Sequence, residues 1–86
     1  MKLEGKLFRA NLMIGNKTIE QPDQLGNFTK QLGTCLVLLC HELDIPIPLW
    51  MEKNTHEFAR FHQTIFFEEH FIEKVNFERF QIRLHK

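Results

Sequence analysis

The stretch QLGTCLVLLCHEL, residues 31–43, decides the fold class of this chain. Leu32, Cys35, Leu36, Leu39 and Leu43 recur at three- and four-residue steps, and Leu25 and Phe28 extend the same stripe backwards. Apolar residues at that period predict an amphipathic helix of about four to five turns. Its centre, Cys35 to Cys40, is apolar nearly all round, which predicts burial on most sides, under a sheet and against another helix or chain. Ile45-Pro46-Ile47-Pro48 ends it, because each proline pushes its predecessor out of the helical region.

On the N-terminal side the period changes from helical to alternating. Phe8, Ala10, Leu12 and Ile14 fall on one face of residues 6–14, with Arg9, Asn11 and Met13 on the other, the pattern of a half-buried strand. Gly15-Asn16 tolerates positive φ and predicts a two-residue turn, after which Lys17 to Glu20 returns. In that register Ile14 pairs with Lys17 and Leu12 with Ile19.

On the C-terminal side Asn54 and Glu57 form a variant capping box that predicts a short helix starting after Asn54. Phe58, Phe61 and Ile65 share its face, and Phe66-Phe67 either ends it, extends, or starts another element. Glu68 and Glu69 before Phe71-Ile72, with Lys74 after, predict a short third helix over 68–74. Phe77 to Leu84 alternates again, with Phe80, Ile82 and Leu84 opposite Phe77, Arg79, Gln81 and Arg83, as a final strand. The expectation is a two-layer α+β domain over 1–86: an N-terminal β-hairpin, a long buried helix, one or two short helices, and a C-terminal strand completing a three-stranded sheet.

Length and composition agree with one core, since the chain has 86 residues, 43% of them apolar and 26% charged. The six apolar residues from Cys35 to Cys40 are the longest such run, far short of the roughly 20 that cross a bilayer. Met1 to Lys6 lacks the apolar stretch of an export signal, which points to the cytoplasm. Cys35 and Cys40 diverge by about 140° on a helix, so they do not bridge, and two buried thiols suit a reducing compartment. Eleven basic and eleven acidic side chains cancel. That balance argues against nucleic acid and anionic lipid as partners, and it leaves little self-repulsion to oppose association with a partner or a second copy.

Most familiar chemistry is missing. The chain has no serine and no tyrosine, and its glycines at 5, 15, 26 and 33 form no phosphate-cradling loop, so neither catalysis nor a cofactor is expected. Cys40 and His41 are neighbours on a helix and point about 100° apart, which fits a structural thiol better than a catalytic pair. His56-Glu57 opens like a zinc-protease motif, but Arg60 stands where the second ligand belongs, and His41-Glu42 meets Ile45 there. His62, Glu69, His70 and Glu73 are weak metal candidates in no named ligand pattern.

Two surfaces invite a binding role. If the outer strands lie together, Arg9, Arg79 and Arg83 share the sheet face away from the helices, beside Met13 and Phe77, where they could hold an anion. Seven of the nine phenylalanines fall between Phe58 and Phe80. Their first task is core packing, but the surplus marks Phe61, Phe66, Phe67, Phe77 and Phe80 as interface candidates. The sequence thus favours a noncatalytic interaction module, most simply a homodimeric accessory or regulatory protein, with metal or anion binding as the alternative.

Overall fold

A computed structural model describes residues 1–23 and 26–85, so the place of Leu25 on the helical stripe lies outside the described residues. The elements are β1 (Lys2–Arg9), β2 (Leu12–Glu20), α1 (Phe28–Glu42), α2 (Glu52–Phe61), β3 (Gln63–Phe67) and β4 (Arg79–His85), with a three-residue 3-10 turn at Glu68–His70. The class is α+β, as the hydrophobic periods require. The sheet has four antiparallel strands in the order β2-β1-β4-β3, one more strand than the expected three.

The hairpin turns earlier than Gly15-Asn16. Ala10 and Asn11 sit at φ 52° and 64°, the positive pair that a tight two-residue turn needs, and Arg9 pairs with Leu12. An alanine is a poor residue for that backbone, but Glu78 holds the tip. Its carboxylate accepts the Ala10 N–H, and its own N–H donates to the Phe8 carbonyl at 2.9 Å. Ile19 therefore pairs with Leu3, not Leu12, and Gly15 lies inside β2 opposite Leu7, beside a bulge at Ile14. A side chain at Gly15 would sit 3.3 Å from Leu7, so its glycine serves packing between strand and core. The displaced turn shifts which residues face in: Leu3, Gly5 and Leu7 are buried and Phe8 is turned outward.

α1 lies across β1 and β2, and α2 covers β3. The buried stripe of α1 is Leu32, Cys35, Leu36, Leu39 and Cys40, joined by Gln31, while Phe28, Val37 and Leu38 are exposed. Within the chain burial is thus one-sided: of the expected covers the sheet is there, and among the described residues no second helix packs over the back. The helix stops before the prolines. Asp44 at φ 56° lets the Asp44 and Ile45 N–H groups bond back to the carbonyls of His41 and Cys40, a left-handed cap that satisfies the last turn.

α2 begins at Glu52, ahead of Asn54. Asn54 stands in the first turn and is buried, and its amide oxygen accepts the Met51 N–H at 2.9 Å, so it caps from within. Its face carries Phe58 into the core but leaves Phe61 out, and Ile65 belongs to β3. The expected third helix over 68–74 is only the 3-10 turn, followed by a connection whose Phe71 and Phe77 meet edge to face at 5.2 Å. Phe77 precedes β4 and is buried, while Phe80, Ile82 and Leu84 face the helices as the alternation predicts.

Candidate interaction surfaces

The two free edges of the sheet differ. Among the outward backbone groups of β3, the Ile65 carbonyl receives the Asn54 amide at 3.4 Å and the Phe67 N–H donates to His70 Nδ1 at 3.0 Å. Side chains thus hold two of the backbone groups that another strand would need on this five-residue edge. β2 is longer, at nine residues, and lies outermost with only β1 beside it. Met1 and Gln21 exchange both backbone bonds. By antiparallel alternation Ile19 then faces β1, while Thr18 and Glu20 direct their N–H and C=O groups away from the sheet. At the other end of this strand Leu12, Met13 and Ile14 are all exposed.

The sheet face away from the helices is built by register. Lys2, Glu4, Lys6 and Phe8 alternate with the buried residues of β1, as Arg79, Gln81, Arg83 and His85 do on β4. Arg79 pairs with Phe8 on one side and Phe67 on the other; Gln81 lies between Lys6 and Ile65; Arg83 lies between Glu4 and Gln63. The Arg79 guanidinium rests 4.6 Å from the Phe8 ring centre, and Lys53 Nζ stands 5.7 Å from that of Phe67. Met13 joins this row beside Phe8. Of the three expected arginines, Arg79 and Arg83 share the face. Arg9 does not, because the earlier turn places it at the hairpin end in alternation with Phe8, and Phe77 is in the core.

Glu4 is also on this face, where its carboxylate shares a 2.9 Å hydrogen bond with His85 Nε2. That bond, with help from Lys6, holds its pKa below the usual carboxylate value. Glu4 is one of two acids on this face, the other being Glu20 beside Lys2.

Phe66, Phe77 and Phe80 are buried inside the chain and present no surface, while Phe61 is exposed and Phe67 half-buried. Phe66 packs against Trp50 and Phe80 at ring distances of 5.7 and 5.8 Å. Among the described residues no group of three His, Cys, Asp or Glu side chains converges to hold a metal. His70 is committed to the Phe67 N–H, and His62 ends α2 at φ 58°. Burial raises the pKa of both thiols, that of Cys40 to about 12, so neither is an activated nucleophile.

Two features escaped the sequence. Phe8 on the open face would have followed from a turn at Ala10-Asn11, but no propensity marks that pair above Gly15-Asn16. Lys53 reaches Phe67 only through the packing of α2 on β3, a long-range relation without a local signal. Comparison with protein-family models, with curated proteins and with solved structures gave no match to this chain.

Proposed function

We propose that the chain is a noncatalytic interaction module that pairs with a second copy of itself along β2 and serves in the cytoplasm as an accessory or regulatory subunit. The observation that carries this reading is the contrast between the edges: Asn54 and His70 each bond to an outward backbone group of β3, whereas among the described residues no side chain bonds to those of β2, a strand whose other end carries exposed Leu12, Met13 and Ile14. An open edge of this length is a template for another strand.

The occupant that fits is a second copy. With Thr18 on a two-fold axis, Asn16 faces the second copy's Glu20 and Lys17 faces its Ile19, so no like charges oppose each other. An axis one residue earlier would set Lys17 against Lys17. Balanced net charge adds no long-range repulsion, and two buried reduced thiols suit the cytoplasm.

Light scattering at micromolar concentration tests this, with Thr18→Pro as the variant, since proline removes an outward N–H at an edge without touching the β1 ladder. The expected result is a dimeric parent and a folded monomeric variant. A monomeric parent overturns the reading, and a dimer that survives Thr18→Pro removes β2 from it.

A further inference from the structure

We propose that the open sheet face is a binding site for single-stranded nucleic acid. The neutral whole chain conceals a charge separation that the fold creates. Lys2, Lys6, Arg79 and Arg83 occupy this face against only Glu4 and Glu20, and Glu4 is bonded to His85. The remaining acids are carried by the helices and connections. The face is therefore locally cationic, as a site tracking a phosphate backbone must be.

Charge alone would suit any polyanion. The second feature is planar: Phe8 and Phe67 flank Arg79 across β4, with a guanidinium 4.6 Å from one ring and an ammonium 5.7 Å from the other. Unpaired bases stack on aromatic rings and on arginine planes. The two rings stand two strand spacings apart, about 10 Å, with the Arg79 plane between them. Further along β4, Gln81 donates to Gln63 at 3.4 Å, two amides able to meet base edges, with Lys6 beside Gln81 and Arg83 beside Gln63 in register. Stacking surface at one end, amides in the middle and cations along the length match a single strand. A duplex hides the flat faces of its bases, so it cannot use the Phe8 and Arg79 platform. The proposal does not depend on self-association through β2.

The test is fluorescence polarisation of labelled twelve-nucleotide oligo-U and oligo-dT against the full chain at about 50 mM salt, repeated as salt rises. Expected is a dissociation constant on the order of 10 µM, with a slope of roughly −0.7 per phosphate contact in the logarithmic salt plot. Arg79→Lys keeps the charge and removes the plane. It should weaken binding about tenfold, within the range for one stacked base, with the slope unchanged. Lys6→Gln should lower the slope by about 0.7. Phe8→Leu repeats the stacking test from the other partner, and Lys30→Gln, at an exposed position of α1 on the other side of the sheet, should change nothing. Circular dichroism confirms that each variant is folded. Absence of binding to either oligonucleotide at 50 µM protein overturns the proposal. So does a matching duplex that binds as tightly as the single strands, or a folded Arg79→Lys and Phe8→Leu pair with undiminished affinity, either of which would leave only nonspecific attraction to polyanions.

Discussion

The buried Asn54 amide donates to the Thr64 hydroxyl at 2.8 Å, and Thr64 in turn donates to the Glu57 carboxylate at 2.7 Å. With the bond that Asn54 accepts from Met51, these contacts fix the start of α2, its second turn and β3 in one polar network inside an apolar layer. Asn54→Ala should therefore lower stability by about 2 to 3 kcal/mol, above the usual value for a lost cap, because buried partners lose their bonds too. Thr64→Val should cost about 1 to 3 kcal/mol, and the double variant less than the sum of the two. Chemical denaturation measures all three, and strict additivity would mean that the groups do not act together.

Leu39 lies directly over Gly5, where an added Cβ would come within 2.7 Å of its Cδ2 and 2.9 Å of Phe80. Gly5→Ala should destabilise by about 1 to 3 kcal/mol through overpacking. Leu39→Ala opens a cavity at the same place and should cost about 2 to 5 kcal/mol. Val37→Ala, on the exposed back of α1, should stay within about 0.5 kcal/mol. Equal losses at Leu39 and Val37 would show that α1 is covered on both sides.

The distinction between those two leucine-like positions marks how far the sequence could be read. The period of residues 31–43 identified the buried stripe of α1, and alternation along β4 put Phe80, Ile82 and Leu84 inside. Both are local signals carried by the residues themselves. The turn was misplaced because Gly15-Asn16 is intrinsically the better pair, and Ala10-Asn11 is held by Glu78, far away in the chain. β3 was ambiguous because Phe66-Phe67 is apolar at either period, and its assignment depends on pairing with β4. The Arg79 and Phe8 contact follows from both of these long-range choices, so the sheet face was legible in kind, as arginines beside apolar residues, but not in its membership.

Glu4 sets an acid limb. Its folded pKa lies below the unfolded value, chiefly through the His85 bond. The stability it contributes is present above the ordinary carboxylate pKa and is lost as pH falls through the folded value. Glu4→Gln should flatten the decline of stability below about pH 4.5, measured as the denaturation midpoint between pH 6 and pH 3. An identical decline would mean that other carboxylates govern it.

Cys40 sets the opposite limb. Its thiol is neutral in the folded chain up to about 12, against an ordinary value of 9.0. The unfolded chain loses that proton first, so stability falls as pH climbs through the interval between the two values. Cys40→Ala should lessen the fall, although it also removes core volume at neutral pH. The native thiols should react with a disulfide reagent only as fast as the chain opens. Prompt reaction at pH 7.5 without denaturant would show that they are not buried.

The phenylalanines separate core from interface. Phe66 and Phe80 are fully buried, so a carboxylate at either must be desolvated among apolar rings, and the loss should exceed about 4 kcal/mol. Phe66→Glu and Phe80→Glu are therefore expected to unfold the chain, with loss of the far-ultraviolet signal, rather than release a folded monomer. Phe61 is 59% exposed on α2, with the Arg60 guanidinium 5.5 Å from its ring centre. Phe61→Glu should keep the fold, and if copies pair along β2 it should keep the dimer as well, because α2 covers the far edge of the sheet. Circular dichroism with light scattering distinguishes the outcomes. A folded monomer produced by Phe61→Glu would transfer the interface from the β2 edge to α2, and a folded Phe66→Glu chain would contradict the packing of Trp50, Phe66 and Phe80 on which this core depends.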